Sequence, residues 1–395
     1  MILAHKIQLD PTEKQKEYFR KAAGCARFVW NWAIAEWDRQ YKEGKKPKES
    51  ELRKQFNKVK YQEFPWMKEI HRDAHMVPFL NLQKAFQRWW KGIAKYPKFK
   101  KKGKCRDSFY IANSEFWILG KIARLPRIGK VRLTQELRFQ GKIMGAAVSR
   151  TADKWFISVK VDVGDYKKER TDDRVSGVDL GLTHVATLSN GLKFEAPKPL
   201  KKNLKKLKRL QRRLSRKKKG SKNLEKAKIK LARLHAKIAN IRKDFTHKLT
   251  TCLCKNHAGL VIEDLSTKFM LKNRKLAKAA SDASLYEIRL QLEYKSQIYG
   301  TTLVIADRWF PSSKKCFSCG NIKKSLSLSD RKYICDCGWE CDRDCNAALN
   351  LKRLYTVGST GIHACGPEGS GGSTCRTTKP CRDEAGTTQL SKVAQ

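Results

Sequence analysis

Ile2 to Leu9 reads as a short β-strand, closed by Asp10-Pro11-Thr12 and by a capping-box pair, Thr12 and Gln15, that opens a helix. From there to about Trp90 apolar residues recur at helical spacing, as in Phe19, Ala22, Ala26, Val29 and Ala33. A basic loop, Tyr96 to Lys104, breaks the helical pattern. Short strand-like segments follow at Phe109–Ile111, Phe116–Leu119, Val131–Leu133, Ala146–Ser149 and Trp155–Val163, with Thr151-Ala152-Asp153 as the turn between the last two. So many short strands in so little chain predict a small barrel or sandwich, with Ile2–Leu9 as its candidate opening strand and the helical stretch as an insertion.

Past a polar linker at 165–173, the segment Arg174–Gly191 reads as strand, turn, strand. Leu204, Leu207, Leu210 and Leu214 then mark one helix, and Leu231, Leu234, Ile238, Ile241 and Phe245 mark a second beyond a break at Gly220-Ser221. Two such stripes facing each other make a helical hairpin. His257–Glu263 has the pattern of a buried strand ending on a carboxylate, a helix follows over Leu285–Tyr299, and Thr302–Ile305 is another strand. From about Thr356 the chain is rich in Gly, Ser and Thr with little apolar content, which predicts a disordered tail.

Charge narrows the possible functions. The 395 residues carry 86 Lys and Arg against 38 Asp and Glu, a formal net charge of +48. Self-repulsion on that scale implies a polyanionic partner. It is concentrated in the hairpin, where 22 of the 51 residues from Lys198 to Lys248 are Lys or Arg and only Glu225 and Asp244 oppose them. A solvated face normally mixes signs, so phosphate contact is the better reading, with Arg212, Arg213 and Arg216 as candidates. Lys98, Lys100 and Lys101 in the basic loop are candidates of the same kind. Trp30, Trp32, Trp37, Trp66, Trp89 and Trp90 are either core or stacking platforms for bases. No apolar run is long enough to span a membrane, and the N-terminus lacks the design of a secretory signal, which points to a cytoplasmic protein.

Six of the thirteen cysteines crowd into residues 316–345. Cys316-Phe-Ser-Cys319 and, fifteen residues on, Cys335-Asp-Cys337-Gly338 form two knuckles at zinc-ribbon spacing, although the second is C-x-C. Four thiolates on one Zn²⁺ would staple a module too small for a core of its own. Cys341 and Cys345 compete for the fourth position, and Gly338 favours Cys335 and Cys337. In the tail, His363, Cys365, Cys375 and Cys381 are a weaker candidate for a second metal site. Three carboxylates complete the candidate chemistry. Asp179 and Glu263 each end a strand, and Asp344 opens an Ala- and Leu-rich helical segment. Converging at one sheet edge, such groups can hold two Mg²⁺ about 4 Å apart for phosphodiester hydrolysis.

Taken in order, Ala26-Arg-Phe-Val-Trp-Asn31, Gly177-Val-Asp-Leu-Gly181, Val261-Ile-Glu-Asp-Leu265, Phe310-Pro-Ser-Ser313 and Asp342-Arg-Asp-Cys-Asn-Ala-Ala348, with the cysteine knuckles, resemble the TnpB (OrfB) proteins of insertion sequences. These are compact relatives of type V CRISPR effector nucleases. The resemblance covers roughly residues 1 to 355. It implies an α+β multidomain protein whose RuvC-like nuclease, of RNase H fold, is split in sequence. The expected organisation is a wedge-like β-barrel from 1–10 and 96–165, a helical recognition region at 11–95, and the nuclease at 174–315 with its basic hairpin at 198–252. A zinc ribbon at 316–340, the last nuclease motif at 341–355 and a tail at 356–395 complete it. It further implies Asp179, Glu263 and Asp344 as catalytic Mg²⁺ (or Mn²⁺) ligands, a structural Zn²⁺, a guide RNA from the transposon end, and cleavage of guide-complementary DNA beside a short adjacent motif in a prokaryotic cytoplasm. An RNA-guided repressor without cleavage and a transposase acting on transposon ends are the rival readings.

Overall fold

The structure, a computed structural model, describes residues 1–166, 170, 172–327 and 329–358. The tail with His363, Cys365, Cys375 and Cys381 lies outside the described residues. Two compact units divide the chain, Met1–Tyr166 and Lys167 onward.

In the first unit β1 (Ile2–Asp10) leads into three helices, α1 (Glu13–Lys42), α2 (Glu49–Glu63) and α3 (Arg72–Trp90), and then six strands. These are β2 (Ser108–Ile111), β3 (Trp117–Leu119), β4 (Ile122–Leu125), β5 (Gly129–Leu133), β6 (Lys142–Thr151) and β7 (Lys154–Asp162). The β1 side chains alternate, with His5, Ile7 and Leu9 turned inward, because successive residues of a strand face opposite sides. β1 pairs along its length with β7, from Ile2↔Asp162 to Leu9↔Trp155, and at one end with β5. A two-residue turn at Ala152-Asp153, with Ala152 at φ +55°, sets the β6–β7 register. The barrel expected from sequence is, in its hydrogen bonding, a seven-stranded sheet of order β2-β6-β7-β1-β5-β4-β3, and among the described residues no pairing joins its ends.

Thr12 and Gln15 make the reciprocal capping box that starts α1. One face of α1, including Phe19, Val29, Ala33 and Ile34, is fully buried in the core shared with the sheet. The tryptophans divide. Trp30 and Trp37 are buried, with Trp37 stacked on Phe86 at 4.2 Å, whereas Trp66, Trp89 and Trp90 are exposed.

The second unit is built on β8 (Val175–Asp179), β9 (His184–Leu188), β10 (Lys193–Glu195), β11 (Gly259–Glu263) and β12 (Thr302–Ala306), in the sheet order β10-β9-β8-β11-β12. β8, β11 and β12 are mutually parallel, and β9 and β10 complete an antiparallel meander. Between β10 and β11 run α4 (Pro199–Ser215) and α5 (Lys222–Asn256). At 35 residues α5 is about 52 Å long. Its Leu249, Leu253 and Cys254 join the core on the sheet, and its Leu234 and Ile238 pack against Leu207 of α4. The helices α6 (Thr267–Lys272), α7 (Ala277–Ala283) and α8 (Leu285–Tyr299) separate β11 from β12. A two-stranded ribbon, β13 (Lys332–Ile334) and β14 (Glu340–Asp342), then feeds directly into α9 (Arg343–Gly358).

Two glycines seat α9 on the sheet. A Cβ on Gly177 of β8 would lie 1.9 Å from the Ala348 carbonyl oxygen, and one on Gly259 of β11 would lie 2.5 Å from the Tyr355 ring. Only hydrogen at these two positions lets the helix come this close. The N-terminus of α9, with Asp344 in its first turn, is thereby fastened to the strands that carry Asp179 and Glu263.

A carboxylate cluster beside a four-cysteine cage

Adjacent parallel strands β8 and β11 are in register from Gly259↔Val175 to Ile262↔Val178, so Asp179 and Glu263 end them side by side. The C-terminal edge of parallel strands is where open α/β sheets bind ligands. Asp344 reaches the same place from α9. The proximity is visible electrostatically. Burial, then the charges of Glu263 and Asp344, hold the Asp179 carboxyl well above the usual carboxylate range. Glu263 is also raised, by burial and to a lesser degree by Asp344, against a hydrogen bond from the Ser312 hydroxyl that lowers it. Like charges forced together in a half-dry site create a standing demand for a cation.

Around Asp344 stand Arg343 Nε at 3.7 Å and His184 Nδ1 at 3.9 Å, and neither atom has a hydrogen-bond partner. Asp342 does different work. Its Oδ1 accepts the backbone N–H groups of Asp344 and Cys345, both at 3.1 Å, and its Oδ2 pairs with Lys193 at 2.7 Å. It caps the helix that presents Asp344. Beside Glu263 opens a groove of about 290 Å³ bordered by Lys268, Tyr286, Arg289 and Arg308. Asp264 holds both guanidinium groups, accepting from Arg308 at 2.6 Å and from Arg289. Ser312, His184 and the two arginines are not among the residues that sequence reasoning singles out. Ser312 lies within Phe310-Pro-Ser-Ser313, but nothing in that string says which hydroxyl turns toward a carboxylate.

Cys316, Cys319, Cys335 and Cys337 bring their sulfur atoms within 4.8 Å of one another, the one such group of His, Cys, Asp or Glu ligand atoms among the described residues. The three carboxylates are therefore spread more widely than the thiols. Cys316–Cys337 and Cys319–Cys335 are each 3.7 Å apart between sulfurs, far too long for a disulfide. A tetrahedron of about 2.3 Å Zn–S bonds has an edge of about 3.8 Å. Backbone N–H groups of Asn321, Cys337 and Trp339 donate to the sulfurs of Cys319, Cys335 and Cys337, as knuckle turns do. The donor set and its spacing fit zinc. Cys341 lies on β14 opposite Tyr333, and Cys345 lies in α9; neither belongs to the cage. The ribbon has little core beyond Tyr333, which is fully buried, and the partly buried Leu326 and Trp339.

The candidate phosphate contacts lie in two settings. Arg212, Arg213 and Arg216 are exposed along α4 and at its end. Lys98 and Lys101 are exposed, whereas Lys100 is half-buried with Nζ 3.6 Å above the Trp30 ring. Burial lowers its pKa. The Asn31 side chain clasps the Lys100 backbone at both its N–H (2.7 Å) and its carbonyl (2.9 Å), and Trp30 Nε1 donates to the Lys98 carbonyl. Arg27 pairs with Asp107 at 2.8 Å. The Ala26–Asn31 string thus fastens the basic loop to α1.

Sheet, acidic strand ends and cysteine cage define a mixed α+β protein with a RuvC-like region and a four-cysteine metal site. Residues 157–274 match the OrfB_IS605 family model, described as "Probable transposase", and residues 286–351 match "Cas12f1-like, TNB domain". Residues 1–46 match a model described as "Helix-turn-helix domain", although here they form β1 and one continuous helix. A "Putative RNA-guided DNA endonuclease" of Streptomyces pristinaespiralis is 36% identical over 356 residues, covering 88% of each chain. The "Putative RNA-guided DNA endonuclease InsQ" of Escherichia coli K12 is 33% identical over 88% of this chain and 91% of its own. The protein chain in a structure titled "Cryo-EM structure of the Cas12f1-sgRNA-target DNA complex" shares the fold, with a TM-score of 0.55 at 15% identity over 86% of this chain and 83% of its own. The chain belongs to the OrfB/TnpB family of IS605-type transposons.

Proposed function

We propose that this protein is an RNA-guided DNA endonuclease that cuts DNA complementary to a bound guide RNA, next to a short transposon-adjacent motif, at Asp179, Glu263 and Asp344. The observation that carries the reading is their convergence at one sheet edge, where burial and mutual repulsion push the Asp179 and Glu263 carboxyls up in pKa. A donor set of neighbouring carboxylate oxygens suits hard divalent cations, and Mg²⁺ or Mn²⁺ held there would supply an activated water and stabilise the leaving oxygen. The protein's own part is to orient. β8 and β11 fix two carboxylates, Asp342 caps the helix that presents the third, and Arg289 and Arg308 border the groove by which a phosphodiester strand approaches.

In the same reading the four-cysteine cage holds a structural Zn²⁺. The seven-stranded sheet serves as the wedge and α1–α3 as the recognition region. The basic hairpin and the loop with Lys98 and Lys101 contact guide or heteroduplex phosphates, for which the charge of +48 is suited. Cleavage by the full chain with its co-purified RNA tests this. Guide-complementary DNA should be cut only with a divalent cation. Guide-dependent binding without cutting would support the repressor reading, and cutting of transposon ends without RNA the transposase reading.

A further inference from the structure

The link between β12 and the first knuckle supplies a contact that the metal-ligand scheme does not require. Ser312 is 5% exposed, and its hydroxyl donates to Glu263 Oε1. Its own carbonyl accepts Asn350 Nδ2 at 2.9 Å. The same amide nitrogen donates to the Lys315 carbonyl at 2.7 Å, and Asn346 Nδ2 donates to that carbonyl as well, at 2.8 Å. Lys315 immediately precedes the cage residue Cys316. Asn346 Oδ1 in turn accepts the Phe317 N–H and Trp339 Nε1–H, both at 3.2 Å, and so grips both knuckles. The two asparagines are one turn apart on α9, the helix that carries Asp344, and are 0% and 1% exposed. Asn350 Oδ1 is buried without a partner. An unmet buried acceptor costs stability that an apolar side chain would avoid, so the amide is there for its N–H groups.

We propose that Ser312 is a positioning residue for Glu263, and that Asn346 and Asn350 make the cysteine ribbon the support of that contact. This rests on the proposed role of Glu263 as a ligand. A carboxylate oxygen engaged by Ser312 leaves the other oxygen aimed, so the side chain meets a cation without first losing rotamer freedom. The ribbon, formed when its metal is bound, fixes residues 312–317 through the two asparagines.

The test uses the full chain with its guide RNA. Mn²⁺ binding is titrated by electron paramagnetic resonance, cleavage is measured across Mn²⁺ concentration, and zinc release to a chelator is timed. Ser312→Ala should raise the Mn²⁺ midpoint about tenfold in both assays with zinc content and RNA binding unchanged, the size expected for losing one hydrogen bond to a charged group. Ser312→Thr, which keeps the hydroxyl, should restore it. Asn346→Ala should raise the midpoint and also speed zinc release. An unchanged Mn²⁺ midpoint in Ser312→Ala, or one that Ser312→Thr fails to restore, overturns the proposal while leaving the nuclease reading standing. If wild type binds Mn²⁺ but cuts nothing, the nuclease reading fails and the binding arm still decides the role of Ser312. Wild type that binds no Mn²⁺ overturns both.

Discussion

The four-cysteine cage and the carboxylate cluster proposed as the cutting centre are built on opposite plans. The cage draws its four sulfurs from 22 consecutive residues, 316–337, closes to within 4.8 Å, and has almost no core beneath it. The carboxylates come from far apart in the chain and are more widely spread: Asp179 and Glu263 end strands of a five-stranded sheet with a large core, and Asp344 opens the helix packed on that sheet. In the cage a bound metal would organise the fold, whereas in the cluster the fold organises the side chains. Removing one ligand should therefore unravel structure in the first and spare it in the second.

The largest expected effect is on the cage. Cys316→Ser should take zinc from about one per chain to none, because three thiolates and a hydroxyl no longer close the site and little else stabilises the ribbon. Elemental analysis of freshly purified wild type and variant checks this; wild type without zinc would remove the contrast altogether. Next is the seat of α9. Gly177→Ala should destabilise the protein by about 2–3 kcal/mol, since the added methyl meets backbone that cannot step aside. Denaturant unfolding measures it, and a change below about 0.5 kcal/mol would mean that the helix is less tightly fastened to β8 than the contact distances imply.

A smaller effect runs in the opposite direction. The Asp179 carboxyl is held above its unfolded range by burial, Glu263 and Asp344, so the native state keeps a proton that the unfolded chain gives up. Without divalent cation, stability should fall as pH rises from about 4 through that raised pKa. Asp179→Asn removes the charge and should raise the neutral-pH Tm of the metal-free protein by roughly a few degrees. A thermal scan at pH 5 and pH 8 with chelator decides it. A variant less stable than wild type at pH 8 would show that the carboxylate is stabilised there by partners rather than strained.

What the sequence makes legible follows the same division. C-x-x-C and C-x-C spacing is local, and so the sulfur ligands can be read directly. The Leu285–Tyr299 helix, the Thr151–Asp153 turn and the strand ending on Glu263 are legible for the same reason. β4 escapes notice because Ile122-Ala-Arg-Leu125 is short and carries one large apolar residue per face. α6 escapes because none of its side chains is buried, and α7 because the residues it buries, Ala280, Asp282 and Ala283, make no apolar stripe. Ser312, Asn346 and Asn350 are illegible as partners, since a side chain that serves a distant carbonyl leaves no period in the chain. Lys100 carries a contact that the basic run does not announce: its ammonium stands 3.6 Å above the Trp30 ring.

Whether the three converging carboxylates are the cutting centre is decided by comparing Asp344→Ala with Asp342→Ala. Both are assembled with the native guide RNA and assayed for single-turnover cleavage and for binding of guide-complementary DNA. Asp342 caps α9 and pairs with Lys193, whereas Asp344 adds its charge to that of Glu263 around Asp179. Asp344→Ala should lose at least about 10³-fold in cleavage with binding nearly unchanged, because affinity is spread over many phosphate contacts and base pairs, while Asp342→Ala should still cut measurably. A fully active Asp344→Ala variant would contradict that assignment.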